Sequence, residues 1–120
     1  MIVHLVLFNP RPDISVAQTE SFAQALTDCF RSIPAITRAT VGRHTAVDPG
    51  YRRDFGDKTY QFAAILEFES KQQLLDYLTH PKHEILGRLF WEVCDSTIVS
   101  EHEMIDGRSP NLESLLLTEG

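Results

Sequence analysis

Cysteine is scarce in this 120-residue chain: Cys29 and Cys94 are the whole supply. Two thiols cannot build the dense disulfide framework of a small secreted domain. Both fall in apolar patterns of helical spacing, so they read as buried, reduced side chains. Positive charge is scarce too. Eleven Lys and Arg stand against 17 Asp and Glu, a net charge of -6 with neutral histidines. That balance argues against a nucleic-acid partner, which calls for a basic stripe, and against an anionic membrane surface. It does not exclude a small anion, which a few local arginines can serve. No apolar run is long enough to span a bilayer. The apolar start is short, interrupted by His4, and lacks a basic leader, so no secretory signal is read and a cytoplasmic location is expected. Gly-rich phosphate loops, a nucleophile elbow and a dinucleotide fingerprint are missing as well.

The length and an apolar content of 42% suit one globular domain with a sizeable core. The opening IVHLVLFN alternates two sets, Ile2-His4-Val6-Phe8 and Val3-Leu5-Leu7-Asn9. Both are mostly apolar, which predicts a strand covered on both faces. Ser15 with Gln18 forms a capping-box pattern ahead of a helix carrying Phe22, Leu26, Cys29 and Ile33 and stopping before Pro34. Residues 37–46 read as a second strand. A polar loop from Val47 to Lys58 leads to a third over residues 59–69, with Tyr60, Phe62, Ala64, Leu66 and Phe68 on one face. Ser70 with Gln73 is a second capping box, opening a short helix through Leu78. Pro81 cannot continue that helix, yet proline suits the first position of a new one. The stripe His83, Leu86, Leu89/Phe90 and Val93 carries the new helix to about Asp95, and residues 96–104 make the last strand.

The order β-α-β-β-α-β predicts an α+β, ferredoxin-like domain over residues 1–104, followed by a tail over 105–120. Helices cover only one face of such a sheet. Val3, Leu5, Leu7, Ala63 and Ile65 on the other face need a second cover, and the simplest is the same face of another copy. A homodimer through the sheet is therefore expected.

MIVHLVLF at the start, LEFES at a strand end and LLDYLTHPKH together resemble the stress-responsive α/β-barrel (Dabb) family, over nearly the whole of residues 1–104. The resemblance implies a ferredoxin-like protomer pairing into a dimeric α/β barrel. Many members of that family are known only as stress-associated proteins. A polyketide cyclase branch closes a linear polyketide by intramolecular aldol condensation without a cofactor. That branch implies catalytic roles for Tyr77 and His83, a pocket role for His4, and pocket walls at Val6, Phe8, Phe22, Leu26 and Ala64. Leu66 and Leu86, on inward faces of strand and helix, join the expected wall. The stretch between His83 and Trp91 is shorter here than in the cyclase branch.

The residues themselves carry compatible chemistry. His83 lies in the first turn after Pro81, where the helix dipole favours neutral imidazole, and a neutral imidazole accepts a proton. His4 shares a face with Val6 and Phe8, so both histidines can look into one cavity. Tyr77 lies across the Pro81 break, with its hydroxyl expected to approach the His83 ring. Such a pair can polarise a carbonyl and remove a neighbouring proton. The plainer reading keeps both histidines as hydrogen-bonded core residues and Tyr77 as packing. His80, before the proline, is assigned to capping or solvent. H-P-K-H lacks a Cys or carboxylate at ligand spacing, so no metal site and no cofactor is expected. Glu67, Glu69, Glu101 and Glu103 read as a solvated sheet edge, and Arg52 and Arg53 as part of a solvated loop. Two functions stay open: a small-molecule protein with cofactor-free acid/base chemistry, and a non-catalytic stress-associated homodimer with structural histidines.

Overall fold

The computed structural model describes residues 1–47 and 59–117. Arg52, Arg53 and most of the expected polar loop lie outside that range. The chain order is β1 (Ile2–Pro10), α1 (Val16–Ser32), β2 (Arg38–Arg43), β3 (Phe62–Phe68), α2 (Lys71–Leu78), α3 (Pro81–Val93), β4 (Cys94–Glu103) and α4 (Leu112–Leu117). The strands form one antiparallel sheet in the order β2-β3-β1-β4, the ferredoxin-like arrangement the pattern predicts.

Local chemistry sets most boundaries. At α1 the Ser15 hydroxyl accepts from the Gln18 amide at 3.1 Å, and the Gln18 side chain accepts from the Ser15 amide at 2.9 Å. At α2 only half of the expected box forms. Ser70 accepts from the Gln73 amide at 3.2 Å, but the Gln73 side chain reaches back to the Glu69 amide instead. His80 caps α3 in an extended conformation, which the following proline favours, and its Nδ1 accepts from the Lys82 amide at 3.1 Å.

The far end of α3 departs from expectation. The helix stops at Val93 and the strand begins at the next residue, with no loop between them. Two features account for this. The Arg11 amide donates to the Val93 carbonyl at 2.7 Å, closing the last turn, and Cys94 pairs with Pro10 beyond an irregularity in the β1–β4 ladder. Sheet pairing thus captures two residues that helical periodicity alone assigns to the helix. β2 and β3 are each shorter than expected.

The helix-side face of the sheet holds the core. Val6 and Phe8 of β1 and Ala64, Leu66 and Phe68 of β3 are buried against Phe22 and Cys29 of α1, Leu74 and Tyr77 of α2, and Leu86 and Val93 of α3. Phe8, Phe22 and Phe90 meet edge to face at 5.0–5.9 Å between ring centroids and fill one end of this layer. The opposite face carries Val3, Leu5, Leu7, Ala63, Ile65 and Ile98, all half-buried or exposed in the single chain. Both cysteines are free and buried, as their spacing suggests. Among the described residues no helix is long and apolar enough to cross a membrane.

Leu66 is almost fully buried at the centre of this layer. Leu66→Ala is expected to lower unfolding free energy in urea by about 2–5 kcal/mol. Val16→Ala, at an exposed helix position, should change it by less than about 0.5 kcal/mol.

Candidate active site

The site grows from the central strand. Alternation along β1 sends His4 toward the helices with Val6 and Phe8, and the β1–β4 register sets it opposite Glu101. His4 is buried, and its Nδ1 lies 3.0 Å from Glu101 Oε1. A carboxylate can only accept, so Nδ1 carries the proton and Nε2 keeps its lone pair. Burial lowers the His4 pKa, outweighing the opposing hydrogen bond and charge of Glu101, and the ring is held neutral.

Tyr77 comes from α2, whose inward face also buries Leu74. Its ring stands between the two imidazoles, with centroids 5.6 Å from His4 and 4.7 Å from His83, both in edge-on contact. The contact between Tyr77 and His83 is ring against ring, with no hydrogen bond between them. Tyr77 is 2% exposed, and a hydroxyl that deep needs a partner. The thiol of Cys29 on α1 is its polar neighbour. Burial, reinforced by Cys29, pushes the phenol well above its ordinary range and keeps it protonated.

His83 sits in the first turn of α3. Burial depresses its pKa and the proximity of His4 depresses it further, against a hydrogen bond to the Leu78 carbonyl. A neutral imidazole has one N–H and one lone pair, so His83 keeps an acceptor nitrogen. Two neutral imidazoles thus flank one protonated phenol.

All three residues border an open cavity of about 500 Å³ between β1 and β4 on one side and α2 and α3 on the other. Of the expected wall, Val6 and Leu86 lie on it. Phe8, Phe22, Ala64 and Leu66 are instead in the packed core, and Leu26 is half-buried against that core. The aromatic cluster around Phe8 fills the space toward α1, so the opening lies over β4. Phe90, Trp91, Asp95, Val99 and Glu101 complete the wall there. Reading each element separately missed them. Glu101 had a usable signal, since antiparallel pairing of the first and last strands sets it across from His4. Glu101 is exposed on the edge strand, as expected, and also bonds His4, which the solvated-edge reading did not include. Among the described residues no three His, Cys, Asp or Glu side chains are grouped to hold a metal ion.

A model of the stress responsive A/B barrel domain family matches residues 2–104. The chain is similar to olivetolic acid cyclase from Cannabis sativa, at 27% identity over 94 residues covering 76% of this chain and 87% of that protein. Among solved structures it resembles hydroxynitrile lyase from Passiflora edulis, with a TM-score of 0.72 and 16% identity over 91% of this chain and 96% of that one. It also resembles a dimeric ferredoxin-like protein of unknown function from Thermobifida fusca, with a TM-score of 0.67 and 18% identity over 86% and 90% of the two chains. At such identities the structural likeness speaks for the fold.

The two depressed histidine pKa values link folding to pH. Unfolded histidine titrates near 6.5. Between that value and the lower folded values the unfolded chain binds more protons, so stability rises with pH there. Urea midpoints are expected to be level above about pH 6.5 and to fall as the medium is acidified below it. His83→Gln should reduce the slope; an unchanged slope would place the linkage elsewhere.

Proposed function

The chain belongs to the stress responsive A/B barrel domain family, and from that premise we propose a homodimeric small-molecule enzyme. It binds a moderately apolar carbonyl compound between sheet and helices and moves a proton beside the carbonyl without a cofactor. One observation carries this reading: His4, Tyr77 and His83 border a single cavity of about 500 Å³, a volume suited to a small organic ligand.

In this reading His83 is the general base, because its ring is neutral and retains an acceptor nitrogen. Tyr77 is the donor to the carbonyl oxygen. Its phenol is protonated, and its polar neighbour is sulfur, a weaker acceptor than a carbonyl oxygen. His4, oriented by Glu101, is the second acceptor on the opposite wall. The apolar side chains of Val6, Leu86 and Val99 keep the reacting carbon out of bulk water, which strengthens these polar contacts. Ring closure of a linear substrate, as the name of the cyclase relative denotes, is one outcome of such a carbanion.

A second reading also has an observation behind it. Each of the three polar side chains has a polar protein neighbour: Glu101 bonds His4 at 3.0 Å, Cys29 lies beside Tyr77 and the Leu78 carbonyl beside His83. That satisfaction suits histidines that are purely structural in a non-catalytic stress-associated dimer.

The two readings separate on solvent-deuterium exchange into the carbon beside a carbonyl, followed by NMR across a panel of apolar ketones and linear diketones. The enzyme reading expects catalysed exchange. His83→Ala and Tyr77→Phe should each reduce it by about a hundredfold or more, with little change in melting temperature for His83→Ala. No exchange by the wild type, together with a large stability loss in His83→Ala, favours the structural reading.

The dimer has its own support in the uncovered apolar face built from Val3, Leu5, Leu7, Ala63, Ile65 and Ile98. Sedimentation equilibrium at micromolar concentration should give twice the chain mass for the wild type. Leu5→Glu, which sets a charge at the middle of that face, should give the single-chain mass. A wild-type monomer refutes the pairing.

A further inference from the structure

We propose that Gly87 decides which ligands this cavity takes: its bare stretch of helix seats an apolar ring carried beside the reacting carbonyl. This deepens the reading above and rests on it.

Gly87 stands in the middle of α3, in helical backbone that any residue adopts. Glycine there weakens the helix relative to alanine, through the extra freedom of the unfolded chain. The ordinary structural reason to keep one is a neighbouring element packed close against the backbone. At Gly87 that reason does not apply: a Cβ built on it meets no heavy atom of the described residues within 4 Å. The core-facing side of α3 is carried by Leu86 and Val93, and the side along the α1 groove by Ile85 and Leu89. A second copy on the open sheet face would lie on the far side of the sheet from α3, so pairing does not call for the glycine either. What Gly87 does border is the cavity.

Its place on that wall is specific. His83, Gly87, Phe90 and Trp91 all line the cavity, and their spacing makes them one stripe along α3. Gly87 interrupts the stripe one turn beyond the base and one turn before the two aromatic rings, with about 6 Å between the Cβ positions of 83 and 87. Helical Cα–Cβ bonds tilt toward the N-terminus, so a side chain at 87 would fill the space beside His83 itself. Glycine gives that space to the cavity. Leu86 borders the same cavity from α3, and Val6 and Val99 border it from the sheet, so the surroundings are apolar. A planar ring, about 3.5 Å thick, fits on bare backbone and can meet Phe90 edge to face, as Phe8 and Phe22 do. A ketone seated this way has its ring over Gly87, its oxygen toward Tyr77 and the C–H between them toward His83.

The test compares phenylacetone, whose reacting carbon carries a ring, with butanone, which has a methyl group in its place. Trp91 is the only tryptophan and borders the cavity, so its indole N–H resonance reports each titration, and solvent-deuterium exchange reports the reaction. The wild type is expected to bind phenylacetone at least about tenfold more tightly than butanone. Gly87→Ala should raise the melting temperature by about 3–6 °C, weaken phenylacetone about tenfold or more, and leave butanone within about twofold. Gly87→Leu should abolish phenylacetone binding. A gain in stability with selective loss of the larger ligand is a pairing that a structural glycine does not produce. A lower melting temperature for Gly87→Ala marks a packing role and overturns the assignment. Unchanged phenylacetone affinity in both variants also overturns it, and leaves the small-molecule reading standing. A wild type that binds neither ketone and exchanges neither sinks both.

Discussion

The pairing of β1 with a neighbour on each side is the constraint on which the rest of the structure depends. Held between β3 and β4, this strand has no freedom to slide, and its alternation decides which side chains face the helices. A slip of one residue would turn His4, Val6 and Phe8 onto the open face and bring Val3, Leu5 and Leu7 inward. Hydrophobicity alone hardly distinguishes those two states, since both sets are largely apolar. The aromatic packing of Phe8 against Phe22 and Phe90, and the His4–Glu101 hydrogen bond, favour one register over the other. The polar pair is thus part of what specifies the fold as well as part of the site.

Much of this was legible in the sequence because the relevant signals are local. Proline at 81 divides two helices, Ser15 starts one, and period-two alternation marks β1 and β3. The two-faced character of β1 gave the sheet an open apolar side. The family motifs brought His4, Tyr77 and His83 together, and they do share one cavity. What stayed hidden depends on pairing and packing between distant segments. Glu101 acquires its meaning from a residue 97 positions away. Tyr77 has Cys29 of α1 as its polar neighbour, a residue from a distant helix that no local pattern records. The cavity opens over β4 because three phenylalanines occupy the alternative space, and no single segment records that.

The site therefore has two layers of order. Contacts between rings set Tyr77 between the imidazoles, and the Glu101 hydrogen bond fixes which nitrogen of His4 holds its proton. Both layers act in the same direction, toward neutral bases and a protonated phenol. Burial disfavours charge on all three groups at once, so the arrangement suits chemistry in which charge develops only briefly and is shared. The same burial keeps Cys29 a thiol, since desolvation raises its pKa against the opposing effect of the neighbouring phenol.

The direct passage from α3 into β4 has a mechanical consequence. Val93 and Cys94 are both buried and consecutive, and the Val93 carbonyl is tied to the Arg11 amide. A helix with no slack at that end cannot swing away from the strand that follows it. The opposite end of α3 has no such tether to the sheet and is joined to α2 through Thr79 and His80. His83 rides on that end. The two walls of the cavity are thus held unequally: Cys94 stands at the tether itself, and His83 at the end of α3 farthest from it.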